Sequence, residues 1–174
     1  MPNHVINEVI FKGLTTSQIE MLKSLVLNRD GVVDFEVLLP PPLNSWPFSA
    51  GSRHKVFPDN HLDWCGKNWS TKWNAYGEPE AITTDDSLTL IFRTAWRTPY
   101  GWLLAIFNKT MISFSYNSFS QGEDAPRHGI FDAAEIRKDS GNPWNETMIE
   151  DISERRRLHK LLWGIEEFEP EDAE

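Results

Sequence analysis

Apolar positions recur along the chain with two different periods, and the switches between them outline the elements. Val5, Asn7, Val9 and Phe11 alternate with Ile6, Glu8, Ile10 and Lys12, which predicts a strand with both faces partly covered, ended by Gly13. Thr15 followed by Gln18 has the form of a capping box, and Ile19, Leu22, Leu25 and Val26 then recur at helical spacing up to the turn residues Asn28 to Gly31. Val33, Phe35, Val37 and Leu39 return to a period of two, with Asp34 and Glu36 on the other side. This predicts a second strand, cut off by Pro40, Pro41 and Pro42.

From Leu43 to about Pro58 the composition turns to Asn, Ser, Pro, Gly and His, an irregular excursion. It leads into Leu62 to Tyr76, which holds three of the eight tryptophans and the only cysteine. Leu62, Cys65, Trp69 and Trp73 fall at steps of three and four, so the spacing predicts a helix with Asp59 or Asn60 as cap and an exit at Asn74 to Pro79. Trp64 lies off that stripe.

Leu88, Leu90, Phe92, Thr94 and Trp96 then alternate with Thr89, Ile91, Arg93 and Ala95, the clearest strand in the chain. Thr98 and Pro99 open a helix over Tyr100 to Phe107, in which Trp102, Leu103, Ile106 and Phe107 share a face. Ile112, Phe114 and Tyr116 predict another strand, and Gly129 to Arg137 a short one. Pro143 to Trp163 reads as a final helix with Asn142 as cap and Gly164 past its end, with Met148, Ile152, Leu158, Leu162 and Trp163 on one side. Arg155 and His159 fall within that stripe.

The order strand, helix, strand, excursion with helix, strand, helix, strand predicts an α+β protein of ferredoxin-like plan. It is a doubled split βαβ, an antiparallel sheet with helices on one face, an inserted Trp-rich helix and a C-terminal helix. One domain would span 1–164, including an insertion at 43–80, followed by an acidic tail at 165–174. The outward sheet face would carry Asp34, Glu36, Arg93, Ser113, Ser115 and Asn117. That face lacks the paired aromatics on which RNA bases stack.

Composition narrows the classes. Among 174 residues, 40% are apolar and 12% aromatic, which argues for a packed core. A net charge of -9 and a pI near 5.0 disfavour nonspecific attraction to nucleic acid or anionic membranes. With one cysteine, no secretory pattern at the start and no long apolar run, the expected place is the cytoplasm.

MPNHVINEVIF, NWSTKWNAY, SLTLIFRTAWRTPYGWLLAI and the late Trp163, Gly164 pair resemble the YubB-type ferredoxin-like domain family of bacteriophage and conjugative-plasmid proteins, including the Api-like phage proteins. The likeness spans nearly the whole chain. Its two signatures stand here as Asn68 to Tyr76 and Thr94 to Pro99, with Ser70 where glycine is expected. The resemblance implies a fold, a mobile-element origin and a bacterial host cytoplasm, and it carries no catalytic residues.

Candidate chemistry is sparse. His54, Asp59, His61, Asp63 and Cys65 are of metal-ligating type, but the last four sit at every second residue and would fan around a helix axis. No cofactor or metal is expected. Cys65 reads as a small core residue, Asp85 with Asp86 and Glu123 with Asp124 as solvated loop acids, and no GxGxxG or GxSxG occurs. An arginine inside an apolar stripe either snorkels or pairs with a buried acid, so Arg155 is the strongest single contact residue.

The leading expectation is therefore a non-catalytic accessory protein that binds a host protein, including components of host defence. Trp46, Phe48, Trp64, Arg155, Glu166, Glu167 and Glu169 are its partner-binding residues, the last three as a charge mimic facing a basic, nucleic-acid-binding surface. The alternatives are a nucleic-acid module using the 45–55 loop, where Trp46, Phe48, Arg53, His54 and Lys55 mix aromatics with charge, and a metal-dependent hydrolase or nuclease around His54, His61 and Asp59.

Overall fold

A computed structural model describes residues 3–43, 60–136 and 144–164. Strand β1 (His4–Lys12) lies at the centre, and helix α1 (Thr16–Val26) follows it behind the expected capping box of Thr15 and Gln18. Short helix α2 (Phe35–Leu38) precedes the undescribed stretch, after which come α3 (His61–Asn68), β2 (Tyr76–Thr83) and β3 (Ser87–Ala95). Helix α4 (Tyr100–Thr110), β4 (Phe114–Ser120), β5 (Arg127–Phe131), α5 (Ala133–Ile136), β6 (Trp144–Met148) and α6 (Ile152–Trp163) complete the order. The six strands form one antiparallel sheet in the order β2-β3-β1-β4-β5-β6, so the class is α+β.

The period of two in β1 divides the core. Val9 and Phe11 join Leu88, Leu90 and Phe92 of β3 and Tyr116 of β4 on one face, covered by Ile19, Leu22 and Val26 of α1 and by Trp102, Leu103, Ile106 and Phe107 of α4. Ile6 and Phe119 point the other way, under Leu158 and Leu162 of α6. Helices thus lie on both faces, which corrects the expectation of one covered face. Arg93 and Asn117, expected to face outward, sit beneath α6, where Arg93 Nη2 donates to the carbonyls of Leu161 and Leu162 at 3.3 and 3.1 Å. Asp34 and Glu36 are not on the sheet at all.

Four element assignments change, each for a local reason. The expected strand at Val33 to Leu39 is instead α2, because the Asp34 side chain accepts from Glu36 N and caps a turn that drives Phe35 into the core. The Trp-rich helix ends at Asn68, with Trp69 as its C-cap and Ser70 at φ 66°, so Trp73 leaves the stripe. The expected exit after Asn74 becomes edge strand β2, whose Pro79 and register shift suit an edge. The final helix begins only at Ile152, capped by Asp151, because Trp144 to Met148 pair with β5 as a strand. Asn142 lies outside the described residues, and the 43–80 insertion overlaps the sheet through β2.

Ser70 explains its own position. A φ of 66° favours glycine, and the serine hydroxyl accepts a hydrogen bond from Gly101 N at 3.1 Å. Gly101 is required in turn, since a Cβ there would stand 2.2 Å from the Asn68 carbonyl oxygen. This close approach joins the end of α3 to the start of α4.

Trp69 is fully buried, meets Phe35 and Trp64 edge-to-face, and donates from Nε1 to the Leu39 carbonyl at 3.0 Å. Trp69→Ala should cost about 3–5 kcal/mol in chemical denaturation; an unchanged midpoint would contradict this packing.

Candidate functional site

Two polar clusters and two clefts carry the chemistry of the described residues. The first cluster forms under α6. Glu8, in the middle of β1, is 6% exposed, and Arg157 reaches it through Nη1 to Oε1 at 2.8 Å while also binding Glu154 through Nε at 2.9 Å. Asn117 donates to Glu8 Oε2 at 2.8 Å and to Glu154 at 3.2 Å, and its oxygen meets His128 Nδ1 at 2.7 Å. The Arg157 hydrogen bond holds the Glu154 carboxyl below its ordinary value.

The second cluster crosses β4, β5 and β6. Tyr116, Gly129 and Glu146 stand side by side in register, and a Cβ on Gly129 would lie 2.2 Å from the Tyr116 ring. The missing side chain lets Tyr116 pass across β5 and donate its hydroxyl to Glu146 Oε2, which also accepts from Tyr100 at 2.7 Å. Arg127 closes the carboxylate's other oxygen through Nη1 at 3.0 Å and binds Glu123 through Nε, also at 3.0 Å. Burial alone would raise Glu146, but the hydrogen bonds from Tyr116, Tyr100 and Arg127 outweigh it and hold this carboxyl below 4.5. Burial and the bond to Glu146 push Tyr100 up to about 12, and burial raises Tyr116 as well.

Trp96 separates the two clefts. It follows the last residue of β3 and takes φ 73°, a left-handed conformation uncommon for an aromatic residue, with half of its surface exposed. Its amide donates to the Asn3 carbonyl at 2.9 Å, and Thr94 Oγ1 donates to the Arg97 carbonyl at 2.8 Å, which together fix the turn. On one side a cleft of about 360 Å³ is lined by Leu62, Asp63, Ser70, Thr71, Lys72 and Trp96, among others. On the other, a cleft of about 240 Å³ is lined by Val5, Thr98, Tyr100, Ser118, Ser120 and Arg127, with Trp96 and Arg97 shared.

The residues expected from sequence are distributed differently. Trp46, Phe48, Arg53, His54, Lys55, Asp59, Glu166, Glu167 and Glu169 lie outside the described residues. Trp64 is half-buried against the core and meets Trp69 edge-to-face at 5.4 Å. His61 also meets Trp69 edge-on, at 6.3 Å, and among the described residues no three His, Cys, Asp or Glu side chains are grouped to hold a metal. Cys65 is fully buried, and desolvation followed by the charge of Glu36 pushes its thiol up to about 12. Arg155 donates to the Asp124 carbonyl at 2.9 Å, and Arg157, two residues on, reaches the buried Glu8. The loop acid Glu123 is occupied by Arg127, while Asp85 and Asp86 are exposed.

Arg157→Ala should leave Glu8 with Asn117 alone and cost up to about 3 kcal/mol, less than for a dry pair because Arg157 is 42% exposed. Denaturation of the double variant Glu8→Leu, Arg157→Met should recover most of that loss. Glu146 has its folded value depressed, so its contribution is present at neutral pH and disappears as pH falls below 4.5 through that lower value. Glu146→Gln should therefore melt below the wild type at pH 7, and the two curves should converge in acid.

Comparison of the chain with family models, with curated proteins and with solved structures returns no match.

Proposed function

We propose that this chain is a non-catalytic accessory protein of a bacteriophage or conjugative plasmid, acting in the bacterial cytoplasm by binding a host protein, including components of host defence. The observation that carries the binding surface is the convergence of two separate stretches on one cleft. Ser70, Thr71 and Lys72 come from the NWSTKWNAY block, and Ala95, Trp96 and Arg97 from the TAW turn. Thr71 Oγ1 ties them together by donating to the Ala95 carbonyl at 2.8 Å. These are the two blocks on which the resemblance to YubB-type proteins rests, and Trp96 projects from their junction half exposed.

A ferredoxin-like plan accompanies this reading. It is supported by the order β2-β3-β1-β4, by α1 between β1 and β2 in sequence and by α4 between β3 and β4. On that plan β5, β6 and α6 are additions beyond β4. The second strand of the plan is then β2, not the segment from Val33 to Leu39.

A large aromatic residue fixed by backbone geometry, rimmed by Lys72, Arg97 and Asp63, has the character of a protein-contact anchor. It needs little ordering on binding, because its amide is already held by the Asn3 carbonyl and the carbonyl of the following Arg97 by Thr94. A binding role also accords with the occupied state of the acids: Glu8, Glu123 and Glu146 each satisfy an arginine.

Trp96→Ala should leave stability within about 0.5 kcal/mol of wild type, as expected for an exposed site, and should abolish capture of a protein from bacterial lysate. Met21→Ala, on the exposed side of α1, should retain capture. Equal capture by the Trp96 variant would remove this surface from the reading, and capture of nothing by the wild type would remove the reading itself.

A further inference from the structure

The larger cleft carries more positive than negative charge, in a protein whose net charge is -9. Lys72 and Arg97 line it, and neither forms an ion pair among the described residues. Lys72 Nζ stands over the Trp73 ring, 5.1 Å from its centroid, and Arg97 is exposed. The one carboxylate of the lining, Asp63, already accepts from the Asn60 side-chain amide. Trp96, half exposed, and Leu62, partly buried, add apolar surface to the same cleft.

A segment that mixes acids with apolar side chains matches such a lining, and one starts close by. Helix α6 stops at Gly164, where φ 72° turns the chain off the helix axis. Its last carbonyls, those of Leu161 and Leu162, accept from Arg93. Arg93 is paired in register with Tyr76, which meets Trp73 at 6.3 Å, and Lys72 sits over that tryptophan. Along the chain, Trp96 and Arg97 follow Arg93 by three and four residues. Three residues cover at most about 11 Å, whereas the ten residues 165–174 can extend to about 33 Å.

Those ten residues hold six acids and no base, with Ile165 and Phe168 among them. The stretch 44–59 also adjoins the cleft, at Asn60, but it holds Arg53 and Lys55 against Asp59 alone. Charge therefore favours 165–174.

We propose that residues 165–174 dock in this cleft of their own chain, with glutamates against Lys72 and Arg97 and with Phe168 against Trp96. Glu166, Glu167 and Glu169 then have a first contact inside the protein, and a partner for Trp96 has to displace them. That competition rests on the partner reading, whereas the contact is measured with no partner present, so the two can fail separately.

A nitroxide attached to the full chain at Ala173→Cys keeps all six acids, and the buried Cys65 escapes the label. In amide spectra, Lys72, Trp96 and Arg97 should be broadened more strongly than Ile82. Ile82 pairs with Thr89, on the opposite side of Arg93 along β3, and so reports mere tethering. Lys72→Gln with Arg97→Gln should remove most of the excess, and about 1 M salt, which screens charges beyond about 3 Å, should reduce it roughly twofold or more. Unchanged amide positions elsewhere show that the double variant is folded; if it is not, the salt series decides. Equal broadening of Ile82 and Trp96 would overturn the docking, as would an excess that the folded double variant leaves intact or, where salt decides, one that salt leaves intact. Broadening passed from a spin-labelled chain to a separate unlabelled chain would assign the segment to a second copy and overturn the internal contact.

Discussion

A carboxylate in the middle of the central strand governs how this protein is assembled. Glu8 has Ile91 of β3 on one side and Asn117 of β4 on the other, and almost none of its surface reaches solvent. A charge so placed is costly unless paired and hydrogen-bonded. The only part of the described chain that delivers a cation to it is α6, through Arg157. That requirement sets the rotation of the helix. Leu158, the next residue, and Leu162, one turn on, then bury against Ile6 and Phe119, and the last carbonyls of the helix meet Arg93 from β3. The ion pair thus contributes less through its net energy than through the single docking of α6 that it permits.

The opposite face is assembled by shape. Its core is aromatic, with Phe35 between Trp69, Phe92 and Trp102, and with Phe114 stacked on Phe131. Two glycines make the closest approaches feasible. Gly129 gives Tyr116 a path across β5, and Gly101 lets the first turn of α4 reach the last turn of α3. Neither glycine has a positive φ, so in both cases the absent Cβ matters for space and not for backbone freedom.

Elements with a strong local signature were legible in the sequence. The capping box of α1, the alternation of β1 and β3 and the apolar face of α4 each predicted what forms. The segment from Val33 to Leu39 misled because its alternation is real, but Asp34 captures its own backbone and turns the chain. Strand β2 was hidden because an edge strand containing Gly77, Glu78 and Pro79 carries little apolar pattern. Arg155 falls in the apolar stripe of the last helix, but Arg157, outside it, is the arginine that reaches Glu8, because that carboxylate lies on β1 and leaves no mark in the helix spacing. The Cys65 and Trp69 stripe was readable from spacing. The Tyr116 and Glu146 pair was not, since it joins residues 30 apart across two strands. Trp96 continued the alternation of β3 in the sequence, because a positive φ leaves no trace in a hydrophobic pattern.

That same residue places a limit on independence. Both clefts share Trp96 and Arg97, and the walls beside them are braced by the contact of Gly101 with Asn68. With the backbone fixed, the indole can move only by its side-chain torsions. A change in its orientation reshapes the wall of both clefts at once. The shapes of the two clefts are therefore tied to each other through a single side chain.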